Sequence, residues 1–296
     1  MGLLEWSLLV ILSILWGGSF FFTEVALMDL TPLTIVLCRV GLAAITLALF
    51  FKVTRRNIGN LFTIWPIFLG MGLLNNVIPF TLLSFGQVHI ASGLASILNA
   101  FTPVFTVIVA HFLTRDEKLA AHKVIGVLFG IAGVVLMIGT SALDGMSNAL
   151  IGMILCLGAT LSYAFAGVYG KRFKAMNIEP VGVALGQVTA STVLLLPIVL
   201  IIDQPWLLPM PSTETIASVF GIAVFSTSLA YILFFRILST GGATNLSLVT
   251  LLIPASAIFL GSVVLGEQLA SHHFIGFGLI IIGLIAMDGR VFRKRT

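Results

Sequence analysis

The chain is a succession of apolar runs, each about as long as a bilayer's hydrocarbon core is thick. Short breaks between them hold nearly all of the charge. A helix rising 1.5 Å per residue needs about 20 residues to cross that core. Among the 296 residues, ten runs of this kind are bounded by charge, proline or polar clusters: 5–23, 33–51, 64–86, 91–112, 123–140, 149–170, 181–202, 214–238, 244–265 and 273–288. Ten spans use roughly 200 residues. The rest supply nine loops and two tails, with no room for a separate soluble domain. Charged residues are 9% of the chain, against about 25% in soluble domains, so a polar shell cannot be built. The fold class predicted is an all-α integral membrane protein with ten transmembrane helices. The first run is preceded by Glu5 with no Lys or Arg, which reads as a retained helix rather than a signal peptide.

The few charges give the orientation. Lys52, Arg55 and Arg56 follow span 2, Arg115, Lys118 and Lys123 follow span 4, and Lys171, Arg172 and Lys174 follow span 6. Arg236 ends span 8, and Arg290, Arg293, Lys294 and Arg295 form the tail at 289–296. Fourteen of the fifteen basic residues therefore lie at one face. The alternate loops carry Glu24, Asp29, Asp144, Asp203, Glu214 and Glu267 instead. This is the positive-inside pattern with both termini cytoplasmic, and only an even number of spans satisfies it. The net charge of +4 thus marks a cytoplasmic surface in contact with the lipid bilayer, and nucleic acid is not an expected partner. Cys38 and Cys156 sit singly in apolar runs, without a CxxC or a His/Cys cluster. They read as small core residues, with no disulfide or metal site.

The two halves resemble each other. Residues 117–133, EKLAAHKVIGVLFGIAG, align with 267–283, EQLASHHFIGFGLIIIG, with eight of 17 positions identical. Pro103 meets Pro254 and Gly70 meets Gly221 at one offset, and Pro32 meets Pro180 and Arg39 meets Gln187 at another. Each repeat holds five spans. Five is odd, so the second repeat enters the membrane from the opposite side, which is a signature of secondary transporters. The domains predicted are 1–140 and 148–288, each a five-helix repeat, followed by the basic tail.

Particular residues carry a resemblance to a known family. Leu15-Trp16-Gly17-Gly18-Ser19-Phe20 followed by Pro32 and Arg39 resembles the opening of an EamA domain. Pro103 before the 113–119 stretch with Glu117, and Pro254 before Leu265-Gly266-Glu267-Gln268-Leu269, resemble its later motifs. The order and duplication of these motifs make the chain similar, over both halves, to the EamA family of the drug/metabolite transporter superfamily. That resemblance implies two inverted five-helix repeats around a central cavity. It also implies passage of small metabolites, often amino acids, across a bacterial inner membrane. Many family members carry Lys near the outer end of span 1, where this chain has Glu24.

Polar and aromatic side chains deep in the spans are the candidate substrate contacts, because such groups are costly in lipid and face the bundle interior. Arg39 lies about six residues inside span 2, roughly 9–10 Å deep at 1.5 Å per residue. It attracts a substrate carboxylate, or it is a structural arginine that snorkels or bonds carbonyls. The structural reading is favoured, because family members carry an Arg here whatever their substrate. Asn75 and Asn76 sit in mid-span 3 before Pro79, and Ser226 and Thr227 hold the matching place in span 8. Asn99 precedes Pro103 in span 4, and Thr250 is its mate before Pro254. Trp16 and Ser19 in span 1, Tyr163 in span 6, Gln187 in span 7 and Tyr231 in span 8 complete the substrate-binding set. Pro79, Pro103 and Pro254 are the expected helix breaks, because proline removes a backbone donor and frees a carbonyl. Phe101 reads as plain packing. Glu117 and Glu267, at span ends, read as loop-to-helix ties rather than proton carriers. The glycines Gly126, Gly130, Gly133, Gly182 and Gly186 allow close helix contact within the bundle, with a homodimer face as the alternative.

These features point to a secondary transporter for small polar or amphipathic metabolites, with a passive channel or a drug-efflux carrier as alternatives. No HExxH, GxSxG or Walker loop is present, so neither an enzyme nor an ATP-driven pump is expected. No cofactor is expected.

Overall fold

The computed structural model describes residues 3–55, 61–114, 120–138, 148–241, 246 and 249–288. Its regular structure among these residues is helical, with no strand. The helices are α1 (Leu3–Ala26), α2 (Pro32–Val53), α3 (Trp65–Gly72), α4 (Ile78–Gln87), α5 (Ser92–Asn99), α6 (Thr102–Leu113) and α7 (Ala121–Ile138). They continue as α8 (Asn148–Ala175), α9 (Pro180–Ile202), α10 (Thr213–Phe220), α11 (Ala230–Gly241), α12 (Val249–Val264) and α13 (Ser271–Asp288). Wide-turned π stretches join α3 to α4 (Leu73–Val77) and α10 to α11 (Gly221–Leu229). Counting α3 with α4, α5 with α6 and α10 with α11 as single segments, eight are long and apolar enough to cross a membrane, and Val249–Val264 and Ser271–Met287 are shorter apolar helices. The loop residues Arg56, Arg115, Asp116, Glu117, Lys118 and Asp144, and the tail at 289–296, lie outside the described residues.

Span 4 breaks near Pro103, one of the expected breaks, and span 6 runs longer than its sequence reading, each for a physical reason. Span 4 is not one helix: α5 ends at Asn99 and α6 begins at Thr102. Pro103 has no N–H to give the carbonyl of Asn99, and the hydroxyl of Thr102 donates to that carbonyl instead, at 2.7 Å. Span 6 runs past residue 170 to Ala175. Its last turn carries Arg172 and Lys174, which favour a helix C-terminus, and the Arg172 guanidinium lies 4.5 Å over the Tyr169 ring.

Small residues set the helix spacing. α7 and α13 cross through glycines. A Cβ on Gly133 would lie 2.6 Å from the carbonyl oxygen of Gly276, and a Cβ on Gly283 would lie 2.6 Å from that of Gly126. The contacts run in opposite chain directions, so this pair is antiparallel. Gly186 faces Phe68 and Gly72 faces Gln187 and Ser191. These described glycines thus serve contacts between helices of one bundle. Phe101 is buried in the main apolar cluster, edge-on to Phe105 with ring centres 4.9 Å apart.

One end of the bundle is tied by carboxylates that cap helices from the other half of the chain. Asp203, after α9, accepts from the backbone N–H (2.9 Å) and hydroxyl (2.8 Å) of Thr34 and from the hydroxyl of Thr31, where α2 begins. Asp29, before α2, accepts from the N–H (2.9 Å) and hydroxyl of Ser212 and the hydroxyl of Thr215 (2.7 Å), where α10 begins. Gly266, with φ +69°, turns the chain after α12. The Glu267 carboxylate then accepts from the N–H groups of Ser92 (2.8 Å) and Gly93 (3.0 Å) at the start of α5. Each carboxylate meets unpaired N–H groups or first-turn hydroxyls at a positive helix end. Glu267 is therefore the loop-to-helix tie expected of it, while Glu117 lies outside the described residues.

Two measurements follow from this packing. Gly133→Ala should lower stability by about 1–3 kcal/mol through overpacking, seen as a lower melting temperature in detergent. Gly278→Ala, with nothing within 4 Å of its Cβ position, should leave melting unchanged, and equal melting of the two variants would contradict the close crossing. The second concerns pH. The hydrogen bonds from Ser212 and Thr215 hold Asp29 below the usual carboxylate range. Its contribution is fully present above the ordinary aspartate pKa of about 3.9 and is lost as pH falls through the lower folded value. Melting temperature should therefore fall more steeply with acid in the parent chain than in Asp29→Asn; parallel profiles would show that the cap does not act.

Candidate functional site

The polar candidates of spans 2, 3, 7 and 8 converge in the bundle interior. Arg39, about two turns into α2, is 8% exposed and is the one charged side chain among the described residues that is buried. Its Nε–H donates to the hydroxyl of Thr227 at 3.0 Å. Its guanidinium carbon lies 3.6 Å from the centre of the Phe80 ring, a cation–π contact. The phenols of Tyr163 and Tyr231 are within its electrostatic reach. Arg39 bonds a hydroxyl of span 8 inside the bundle, rather than a carbonyl, and so ties α2 to span 8. Among the described residues, no carboxylate pairs with it and its terminal nitrogens have no hydrogen-bond partner.

The amides lie beside it. Asn75 Nδ2 donates to Gln187 Oε1 at 3.1 Å and to the Tyr231 hydroxyl at 3.3 Å. The Tyr231 hydroxyl reaches Asn76 Oδ1 at 3.5 Å. Gln187 and Asn76 are almost fully buried. Asn76 Nδ2 and the neighbouring Ser226 hydroxyl are buried without a partner. Buried polar atoms of this kind are costly and rare in folded proteins.

Irregular backbone positions these side chains. Residues 73–77, holding Asn75 and Asn76, form the π stretch before Pro79. The carbonyl of Leu74 in this stretch accepts from the hydroxyl of Ser162, at 2.7 Å. Span 8 forms its own wide turns over 221–229 without any proline. Its hydroxyls supply the missing partners: Thr227 donates to the carbonyl of Ile222 (2.8 Å) and Ser228 to that of Ala223 (3.0 Å), each five residues back. Thr227 thus accepts from Arg39 and donates to the backbone that the wide turn leaves open. Single π turns inside helices occur often at functional sites.

Other candidates lie elsewhere. Trp16 packs on Phe234, with ring centres 5.5 Å apart, beside the main apolar cluster. Ser19 is buried in α1, and its carbonyl accepts from Thr23. Asn99 stands at the break in span 4, with its side-chain oxygen buried and unpartnered. Thr250 lies in the first turn of α12, one turn before Pro254, and Pro254 sits inside that helix rather than ending it. Phe80 and Ser162 were not among the expected residues. Phe80 is one of 23 Phe, and only tertiary packing shows which ring meets the guanidinium. Ser162 could have been noticed beside Tyr163 in mid-span. Among the described residues no His/Cys/Asp/Glu group could hold a metal ion, and both cysteines are free.

A separate recess of about 440 Å³ lies near the acidic end, between α2, α10 and the 205–211 segment. Its walls, including Cys38, Leu42, Trp206, Ile216 and Phe220, are apolar. The hydroxyls that border it, on Thr34 and Thr215, already donate to Asp203 and Asp29.

Comparison with known proteins gives this geometry a context. The chain is 25% identical over 97% of its length to the uncharacterized transporter YoaV of Bacillus subtilis (strain 168), covering 97% of that protein. It is 27% identical over 97% of its length to a protein of Escherichia coli (strain K12) named "Probable amino-acid metabolite efflux pump", covering 95% of it. A solved crystal structure shares the fold, with a TM-score of 0.68 over 98% of each chain at 16% identity. The model of the EamA-like transporter family matches residues 4–139 and again 150–287. The chain is a multi-pass integral membrane protein and belongs to the EamA-like transporter family.

Proposed function

We propose that this protein is a secondary carrier that moves small polar or amphipathic metabolites, amino acids and related compounds foremost, outward across a bacterial inner membrane by alternating access. The observation that carries this reading is a pair of interior hydrogen-bonded sets that cross between the halves, Arg39 of span 2 with Thr227 of span 8, and Asn75 and Asn76 of span 3 with Gln187 and Tyr231 of spans 7 and 8. It draws on both halves of the chain. Arg39 and Gln187 hold matched places in the two halves, and Asn75-Asn76 match Ser226-Thr227.

Two inverted five-helix repeats, 1–140 and 148–288, account for further features. The two family matches divide the chain near the same point. The π stretches of spans 3 and 8 fall at corresponding positions. At the α7–α13 crossing, Gly126 meets Gly283 and Gly133 meets Gly276, while in sequence Gly126 is the mate of Gly276 and Gly133 of Gly283. Such an exchange of partners is what a two-fold axis between the repeats requires. Two alike halves that swap conformations open one central site to either side in turn. Both termini are then cytoplasmic, following the basic loops. The amides, hydroxyls and aromatic rings suit neutral or zwitterionic compounds, and the family's transporter character argues for a carrier without enzymatic chemistry.

Counterflow in proteoliposomes tests the proposal. External unlabelled neutral amino acid should accelerate exit of labelled internal amino acid. Asn75→Leu or Tyr231→Phe should reduce that exchange about tenfold, while Gly278→Ala keeps it. Flux without saturation or trans-stimulation would make the protein a channel. Flux of lipophilic drugs in place of amino acids would make it a drug-efflux carrier.

A further inference from the structure

We propose that Arg39 is the anion-recognising group of this protein and restricts its ligands to molecules carrying one carboxylate, zwitterions included, against cations. The inference deepens the carrier reading and takes from it only that the interior network binds the cargo.

The argument starts from charge. A cation inside a membrane bundle is costly unless a counter-charge or a set of acceptors compensates it. Arg39 is buried, and among the described residues no carboxylate lies within ion-pair distance of it. Its contacts are a hydroxyl on Nε and a ring face on the guanidinium carbon. These two contacts orient the planar fork and leave its terminal N–H groups unused. A guanidinium offers parallel donors at the spacing of a carboxylate's two oxygens. The hydroxyl of Ser226, the chain neighbour of the Thr227 that Arg39 bonds, and Asn76 Nδ2, whose side chain meets Tyr231, are buried with no partner. The amide nitrogen, the hydroxyl and the terminal N–H groups together can donate to one anionic group, while the Tyr163 and Tyr231 phenols lie within electrostatic reach.

The same arrangement excludes other cargo. An organic cation would meet an uncompensated positive charge with no described carboxylate to receive it. A phosphate ester, with two charges, would meet a single guanidinium. The carboxylates near the acidic end cannot substitute, because Asp29, Asp203 and Glu267 are engaged at helix starts and Glu24 accepts from Gln87 at 3.0 Å. The sequence reading that favoured a merely structural arginine does not account for unused donors on a buried, membrane-embedded cation.

Ligand-induced melting shifts of the purified protein in detergent test this without relying on transport. The probes are alanine, leucine and phenylalanine, their C-terminal amides, and the same acids lacking the amine. Neutral amino acids and monocarboxylates should raise the melting temperature, and the amides should not. Arg39→Gln should weaken apparent affinity for the acids at least about tenfold and remove the preference over amides; Arg39→Lys should retain the preference with weaker binding. Equal shifts from acids and amides in the parent chain, or no shift from any acid, would overturn the inference with no variant needed. An acid preference that survives in Arg39→Gln would also overturn it. Selective binding of acids without counterflow would instead remove the carrier reading and leave Arg39's role standing.

Discussion

A polar group in a membrane bundle must find its partner inside the protein, because hydrocarbon offers none. This condition explains why irregular backbone, hydroxyls and amides occur together here. Where Pro103 withdraws a donor, Thr102 supplies one to Asn99. Where span 3 widens, Ser162 reaches across from α8 to Leu74. Where span 8 widens without a proline, Thr227 and Ser228 satisfy carbonyls of their own helix. The condition is left unmet at Thr81, Ser92 and Asn99 and, in spans 3 and 8, at the Asn76 amide nitrogen and the Ser226 hydroxyl, while the terminal donors of Arg39 also go unused. A site that recognises cargo needs such donors, and a purely structural bundle has reason to remove them.

The two kinds of contact between halves do different work. The carboxylate caps at the acidic end join α9 to α2, the segment before α2 to α10, and the turn after α12 to α5. Each is a cluster of two or three hydrogen bonds at one helix start, so it can break and re-form as a unit. The glycine crossing of α7 and α13 is continuous backbone-to-backbone contact, which is disrupted by a single methyl.

Much of this was legible in the sequence. The ten apolar runs, their approximate bounds, and the alignment of Gly126 with Gly276 and Gly133 with Gly283 follow from hydrophobic length and self-similarity, whereas the contacts themselves run from Gly126 to Gly283 and from Gly133 to Gly276. The gathering of Arg39, Asn75, Asn76, Gln187, Thr227 and Tyr231 was legible too, because polar side chains at membrane depth have few places to go. Two things were not legible. A break at Pro103 was expected, but not that the hydroxyl of Thr102 takes up the carbonyl of Asn99 there, and span 8 shows that wide turns need no proline at all. The partners of Arg39 depend on tertiary register: nothing in the spacing of Phe80 among 23 Phe, or of Thr227 among the hydroxyls of span 8, distinguishes it before the helices pack. Trp16 was expected on the strength of depth alone, and depth does not separate a ring that faces cargo from one that packs on Phe234.

A structure of the protein with a transported neutral amino acid bound addresses the recognition of cargo most directly. The carboxylate should lie within about 3 Å of the terminal nitrogens of Arg39, with Asn76 or Ser226 donating to the same group. A ligand seated instead in the apolar recess between α2 and α10, with Arg39 still bonded only to Thr227 and stacked on Phe80, would contradict it.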